Sequence, residues 1–312
     1  MDLRQLAALV AVADHGGFSA AARALHTVQS NVSAHVARLE RELGTSLVDR
    51  RSGQLTGEGE AVVERSRRIH AELDAMAVDV ASMGEVVSGT ARVGVIGTVG
   101  RWLVPRLVEL IHLEHPLVRP VVLDAVTTSL IPQLRAGQID FALINLPLDD
   151  PEFEVEPLFD EDRVLVTPTS HPLAQRESVS LAEVAEHDLL LPPRGTVFRD
   201  ELDQVAGRID VELTAQAEVD GMRLLASLAF QGFGATIVPS GAVPSYVAGD
   251  WTVVAIDDLP PRSVGLVHRR KTMLSMPARV TRDAVLAVVS DQLDRRIGMH
   301  SVPTGPTPLT EI

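Results

Sequence analysis

The chain has 312 residues, 46% of them hydrophobic and 3% aromatic, a formal charge of −14 and no cysteine. That length and composition fit a folded protein of more than one domain and exclude a disordered one. The absence of cysteine excludes a disulfide framework, a thiolate metal site and thiol-based redox sensing or catalysis, and makes the cytoplasm the expected compartment.

The opening "MDLRQLAALVAVADHGG" ends its apolar run in Ala11-Val12-Ala13, the pattern of a signal-peptide cleavage site. Asp2 spoils the positive leader, however, and Leu3, Leu6, Val10 and Ala13 recur at helical spacing, so an amphipathic helix over about 2–14 is the better reading. Gly16-Gly17 stops it. Ser19, after Phe18, is the expected N-cap of a short helix ending near Leu25. After the turn His26-Thr27-Val28, a third helix places Val32, Val36, Leu39 and Leu43 on one apolar face. Its other side carries Gln29, Ser30, Asn31, Ser33, His35 and Arg38. Short donors and acceptors of this kind suit a helix that approaches base edges in a major groove, and short helix, turn, longer helix is a helix-turn-helix. The competing reading is a solvated face of an ordinary bundle. "SLVDRRSGQLTGEG" then fits a small β-wing, with Arg50 and Arg51 as phosphate contacts.

Charge distribution agrees with a nucleic-acid partner despite the net −14. Residues 1–56 hold six arginines against five acids, leaving 22 of 28 basic and 37 of 42 acidic residues to the rest. The acidity therefore lies outside this module.

"FSAAARALH", "QSNVSAHVARLERELG", "LVDR" and "LTGEGE" together resemble the DNA-binding domain of LysR-type transcriptional regulators, and the resemblance continues along nearly the whole chain. Three features depart from the pattern. Val28 stands where serine is usual, so the N-cap of the third helix is expected on another residue, Thr27; Ala34 stands where a larger polar or basic residue is common; and the wing is a residue or two short.

From Gly57 a long helix follows, in which Val62, Ser66, Ile69, Leu73, Met76, Val80, Met83 and Val87 repeat at spacings of 4 and 3, the seam of a coiled coil. A second copy of the chain covers such a seam; the alternative is packing on the chain's own globular part. The resemblance makes this the dimerisation linker helix.

"SGT" at 88–90 breaks the helix, and alternating strand and helix patterns begin, with "ARVGVIG", "VRPVVLDAV" and "IDFALIN" as strands of a parallel sheet. A second series from "DRVLVTP" onward gives a second α/β lobe, joined by crossovers near 162–168 and 263–268. The expected fold class is α/β overall: a winged helix-turn-helix at 1–58, a linker helix at 59–88 and a two-lobed domain at 89–297. Lobe 1 is expected over about 91–163 and 266–297, lobe 2 over about 164–265, and a disordered tail over 298–312. The two-lobed part is similar to the family's periplasmic-binding-protein-like effector-binding domain.

In such a fold a ligand sits between the lobes, beyond strand ends, where helix N-termini offer free N–H groups to an anion. Candidate residues are Thr98, Gly100 and Arg101 after the first strand, Thr127 and Thr128 after the second, and Asn145 after the third. Thr196 and Phe198 in "PPRGTVFRD", and Asp220 with Met222, belong to the other lobe. Each threonine taken alone is also an ordinary N-cap. The resemblance implies effector contacts from the loops of Thr98 and Thr127. Val99, Trp102 and Phe198 offer a more apolar lining as the alternative to an anion site.

Enzyme readings find no footing. "GVIGTVG" lacks the G-x-G-x-x-G spacing, no Walker A surrounds Lys271, no G-x-S-x-G occurs, and "HLEH" places His112 and His115 at i, i+3 without a third ligand. "HRRK" at 268–271 reads as a solvated strand end. The expectation is a homodimeric or homotetrameric regulator of double-stranded DNA, with a small anionic or polar effector, no cofactor and no membrane partner. A solute-binding protein is the first competitor and an NAD-linked enzyme the second.

Overall fold

A computed structural model describes residues 1–49, 51–81, 86–244, 249–270, 272–293 and 295–302. The N-terminal module packs α1 (Leu3–His15), α2 (Phe18–Ala24) and α3 (Gln29–Leu43) around Leu9, Ala21, Val36 and Leu39, with Leu47 and Val63 closing the core. A capping box between Asp2 and Gln5 starts α1, and Gly16 in the left-handed region ends it. Two expected caps are not there. The N-cap of α2 is Gly17, so Ser19 is free for another bond, and the N-cap of α3 is Val28, with no side-chain bond, rather than Thr27. Leu43, expected in the core, is exposed at the helix end. Among the described residues the wing carries an isolated bridge between Val48 and Leu55, braced where the N–H groups of Leu47 and Val48 donate to Glu40 Oε1 at 2.9 and 3.3 Å.

The linker helix α4 spans Gly57–Ala81. Gly59 at its start is required by space: a Cβ there would lie 2.0 Å from the carbonyl oxygen of Leu47. The expected seam is used in two ways. Ser66 is buried and Val62 and Val63 pack into the DNA-binding core, whereas Ile69, Met76 and Val80 are exposed. Met83 lies outside the described residues. Val87 is not helical and packs against the core of the following domain, which ends the heptad pattern earlier than expected.

Lobe 1 is a six-stranded sheet in the order β12-β4-β11-β3-β1-β2, formed by β1 (Gly89–Val95), β2 (Val118–Asp124), β3 (Phe141–Asn145), β4 (Phe153–Glu161), β11 (Arg262–Arg269) and β12 (Met299–Ser301). β1 pairs in parallel with β2 and β3, as the sequence predicts, but β11, β4 and β12 are antiparallel, so the sheet is mixed. Helices α5 (Gly97–Glu114), α6 (Thr127–Arg135) and α10 (Met276–Leu293) cover it.

Lobe 2 contains a sheet in the order β6-β10-β5-β9, from β6 (Ser178–Val179), β10 (Trp251–Ile256), β5 (Arg163–Pro168) and β9 (Thr236–Pro239). Beside it lie the pair β7 (Leu189–Leu191) and β8 (Ala215–Glu218) and the helices α7 (Leu181–Ala185), α8 (Val197–Arg208) and α9 (Met222–Phe230). All of β11 belongs to lobe 1, so lobe 2 ends before Arg262 rather than at 265. The expected disorder from 298 is also corrected. β12 pairs with β4, and the Gly298 carbonyl accepts the N–H of Asp162 at 2.7 Å and the hydroxyl of Ser240 at 2.9 Å, strapping the chain end across the crossover. Residues 303–312 lie outside the described residues.

Candidate functional site

The first site is the outer surface of α3. Val32, Val36 and Leu39 face the core, which turns Ser30, Asn31, Ala34, Arg38 and Arg41 outward, all exposed. Gln29 is exposed as well, and its Oε1 accepts the hydroxyl of Ser19 at 3.1 Å, tying the start of α3 back to α2. Asn31 Nδ2 donates to Thr27 Oγ1 at 3.0 Å. Ser33 and His35 are half-buried on the flanks, so they belong to the margin of this surface rather than its centre; His35 Nδ1 is enclosed without a partner. The backbone N–H groups of Gln29 and Ser30 open a helix with no side-chain cap, a site suited to a phosphate. In the wing, Asp49 accepts the N–H of Arg51 at 2.7 Å and that of Ser52, and these bonds hold its carboxyl below the usual range. The turn so fixed leaves Arg51 exposed; Arg50 lies outside the described residues. Ser19 and Arg41 are additions that the spacing of α3 alone did not single out.

The second site is the crevice between the lobes. Helices α5, α6, α8 and α9 all begin without a side-chain cap bond, on Ile96, Val126, Thr196 and Gly221, whereas α1 and α7 carry full capping boxes. The threonines expected there are occupied in other ways. Thr98 is only 4% exposed, and its Oγ1 accepts from Arg262 Nη2 at 2.5 Å. Arg262, 8% exposed, donates through Nε to Glu161 Oε1 at 2.6 Å; Glu161, 0% exposed, accepts the N–H of Gly241 with its other oxygen at 2.9 Å. This buried pair joins β4 and β11, the two strands at the crossover, to the turn at Ser240–Ala242. Buried charges require such complete pairing, because each left alone costs several kcal/mol.

Other expected residues are turned aside. Gly100 faces the Val95 side chain, and Arg101 Nη1 donates to the Ala242 carbonyl at 3.1 Å, bridging the lobes. Thr196 donates to the Pro193 carbonyl at 2.8 Å, and Met222 packs on the small core around Ala226. Phe198 lies 5.5 Å beneath the guanidinium of Arg163, which pairs with Glu201 and whose pKa burial pushes down. Thr127 Oγ1 accepts the N–H of Asn145 at 3.2 Å, bringing those two predicted residues together; Asn145 Oδ1 is enclosed and unpartnered. Thr128 and Asp220 are exposed.

At the rim, Arg223 of α9 pairs with Asp124 at the end of β2 at 2.6 Å. A Cβ at Gly97 would lie 2.9 Å from Asp124 Oδ1 and 3.2 Å from Arg223 Nε, so glycine is what lets this bridge lie across the start of α5. Glu161, Arg262, Arg223 and Asp124 were missed in the sequence. The available signal was a charged residue opening or closing an apolar strand, as in "FDEDRVLV" and "PRSVGLV".

Residues 3–60 match the model of the lysR-family bacterial regulatory helix-turn-helix protein, and residues 84–290 that of the LysR substrate binding domain. The DNA-binding transcriptional dual regulator OxyR of Escherichia coli (strain K12) is 30% identical over 299 residues, covering 95% of this chain and 98% of its own. A probable hydrogen peroxide-inducible genes activator of Streptomyces viridosporus is 32% identical over 305 residues, covering 90% and 97%. Among solved structures, a full-length OxyR cysteine-to-aspartate variant from Pseudomonas aeruginosa superposes with a TM-score of 0.73 at 24% identity over 97% of this chain and 99% of that one. CbnR in complex with its target DNA gives 0.65 at 23% identity, over 93% and 99%; both likenesses bear on the fold. The chain thus belongs to the LysR family, as a DNA-binding transcriptional regulator with a helix-turn-helix head and a LysR-type substrate-binding domain.

Proposed function

We propose that α3 enters the major groove of operator DNA, with Gln29, Ser30, Asn31 and Arg38 as base contacts and Ser33 and His35 at the margin. Arg51 and its neighbour Arg50 take phosphates. The observation that carries this reading is the exposed polar face of α3, with Gln29 and Asn31 already steadied by Ser19 and Thr27. Paired heads come from a second copy on the exposed Ile69, Met76 and Val80 stretch of α4, as homodimer or homotetramer.

The effector is small and anionic or polar and binds between the lobes. The four uncapped helix starts and Arg223 favour an anion, which would compete with Asp124 for that guanidinium. Thr127, Thr128, Asn145 and Asp220 line its approach; Thr98 serves from beneath, through Arg262. Binding shifts the lobe angle only as far as it favours one arrangement over the other. The Streptomyces viridosporus relative is described as a probable hydrogen peroxide-inducible genes activator, yet a chain without cysteine reads its signal without thiol chemistry. Membership of a family of transcriptional regulators supports reading the protein as a regulator acting in the cytoplasm rather than as an enzyme. Separately, no helix among the described residues is long and apolar enough to cross a membrane.

The test is capture of genomic fragments on the purified protein, followed by sequencing. A few sharply enriched sites, lost with the Gln29→Ala/Asn31→Ala variant, are expected; enrichment that survives this variant would move base reading off α3.

A further inference from the structure

We infer that α6 is a lever between the crevice and the DNA-binding module, and that Arg68 of α4 is the residue that couples them. The inference rests on the DNA-binding reading above. At its crevice end α6 is tied by the Thr127 hydroxyl to the backbone of Asn145. At the other end the carbonyl of Arg135, the last helical residue, lies among those a helix leaves without an internal partner. Arg68 Nε supplies the missing donor from another domain, at 2.7 Å.

The same guanidinium reaches Glu64 on its own helix at 2.6 Å and Glu152 of lobe 1 at 3.1 Å. Glu152 in turn accepts from Arg135 Nε at 2.7 Å. A cation thus sits at the negative end of the α6 dipole with carboxylates on two sides. Just past the end of α6, Gly137 at φ +73° leaves room where a Cβ would lie 2.5 Å from Arg269 Nη1 and 3.3 Å from the Cβ of Ala71 on α4, so the turn after α6 lies close against α4. α4 is itself part of the DNA-binding module, since Val63 is buried in that core and Arg67 pairs with Asp14 of α1.

α6 has nine residues, a rod of about 13 Å, and Leu130 and Leu134 are fully buried beneath it. Packed in this way it moves as a unit, so displacement of Thr127 by a ligand must be felt at the Arg135 carbonyl. Arg68 is a positioning residue, touching neither ligand nor DNA.

Coupling between sites is reciprocal, so DNA can report on the lever without knowledge of the effector. The probe is a duplex recovered by selection from genomic fragments, added to the full-length protein. The readout is amide hydrogen exchange at Ser129 and Leu130, whose N–H groups donate to the Val126 carbonyl in the first turn of α6. In the unaltered protein DNA should change these exchange rates by about fivefold or more. The change should vanish in Arg68→Gln and shrink in Gly137→Ala, whose methyl group crowds Arg269 and Ala71 and strains the left-handed turn between α6 and α4, but persist in Arg106→Gln, which breaks an exposed pair with Glu109 on α5. Exchange that ignores bound DNA in the unaltered protein, or responds fully in folded Arg68→Gln, would overturn the lever. Absence of any DNA binding would remove the reading beneath it as well, and is seen separately by titration.

Discussion

The reading face of α3 and the crevice between the lobes are both rich in small polar side chains, but their partners come from different distances. On α3, Asn31 is held by a residue four positions away and Gln29 by one ten positions away. In the crevice, Thr98 is held by a residue 164 positions away, and Glu161 by partners 101 and 80 away. The first surface is a local device that folds with its own module and stays open to a partner. The second exists only once both lobes have assembled, and its buried polar groups Thr98, Arg262 and Glu161 are already engaged with one another. A ligand there has to compete with internal bonds, which is how a crevice can hold two arrangements close in free energy.

Breaking the long-range network should have the largest effect. Glu161→Ala leaves Arg262 buried without its carboxylate and should cost about 3–5 kcal/mol in denaturant unfolding of the effector-binding domain. The helix-turn-helix should keep its unfolding behaviour, and equal loss in both modules would mean that they do not fold as separate units. Met76→Asp bears on neither network but on the seam: a charge in a paired coiled coil costs several kcal/mol, so sedimentation should show dissociation. Unchanged assembly would place the contact elsewhere.

Thr98→Val is the sharper probe of the crevice. It removes one acceptor from Arg262 and should cost about 1–3 kcal/mol whether or not a ligand is present. A variant of full stability that fails to bind small carboxylates would instead restore Thr98 as a direct ligand contact.

Smallest is the effect of acid. Glu152 is held below the ordinary glutamate range first by its bond to Arg135, then by the charge of Arg68, against some desolvation. Its contribution is therefore present above the unfolded pKa and is lost as pH falls through the depressed folded value. Because the carboxylate is partly exposed, stability should fall by less than about 1 kcal/mol over that window. Glu152→Gln should flatten that part of the pH profile; an unchanged profile would assign the acid response to other carboxylates.

The same contrast explains what could be read in advance. The spacing of Val32, Val36 and Leu39 placed the polar face of α3 correctly because a helix orients its residues by local geometry alone. The two-lobed α/β plan followed from alternating patterns and glycine breaks. Ser19 was misassigned as a cap because its true partner, Gln29, belongs to the next helix. β12 was missed because three residues after Gly298 carry no pattern of their own and become a strand only against Phe159 to Glu161. Thr98 followed the rule for hydroxyls at strand-to-helix turns, but nothing near it in the chain announces Arg262. Nothing near Arg68 in the chain announces its partner either, since the Arg135 carbonyl it reaches lies 67 positions away.

The central claim is that α3 reads sequence through groups fixed within its own module. The direct measurement is equilibrium binding of wild type and Asn31→Ala to a selected operator and to a scrambled duplex of the same length and salt. Loss of one base contact should weaken operator binding by about 1–3 kcal/mol and leave the scrambled duplex unaffected. Equal weakening on both duplexes, or none on either, would contradict the assignment of Asn31 to base reading and with it the role given to α3.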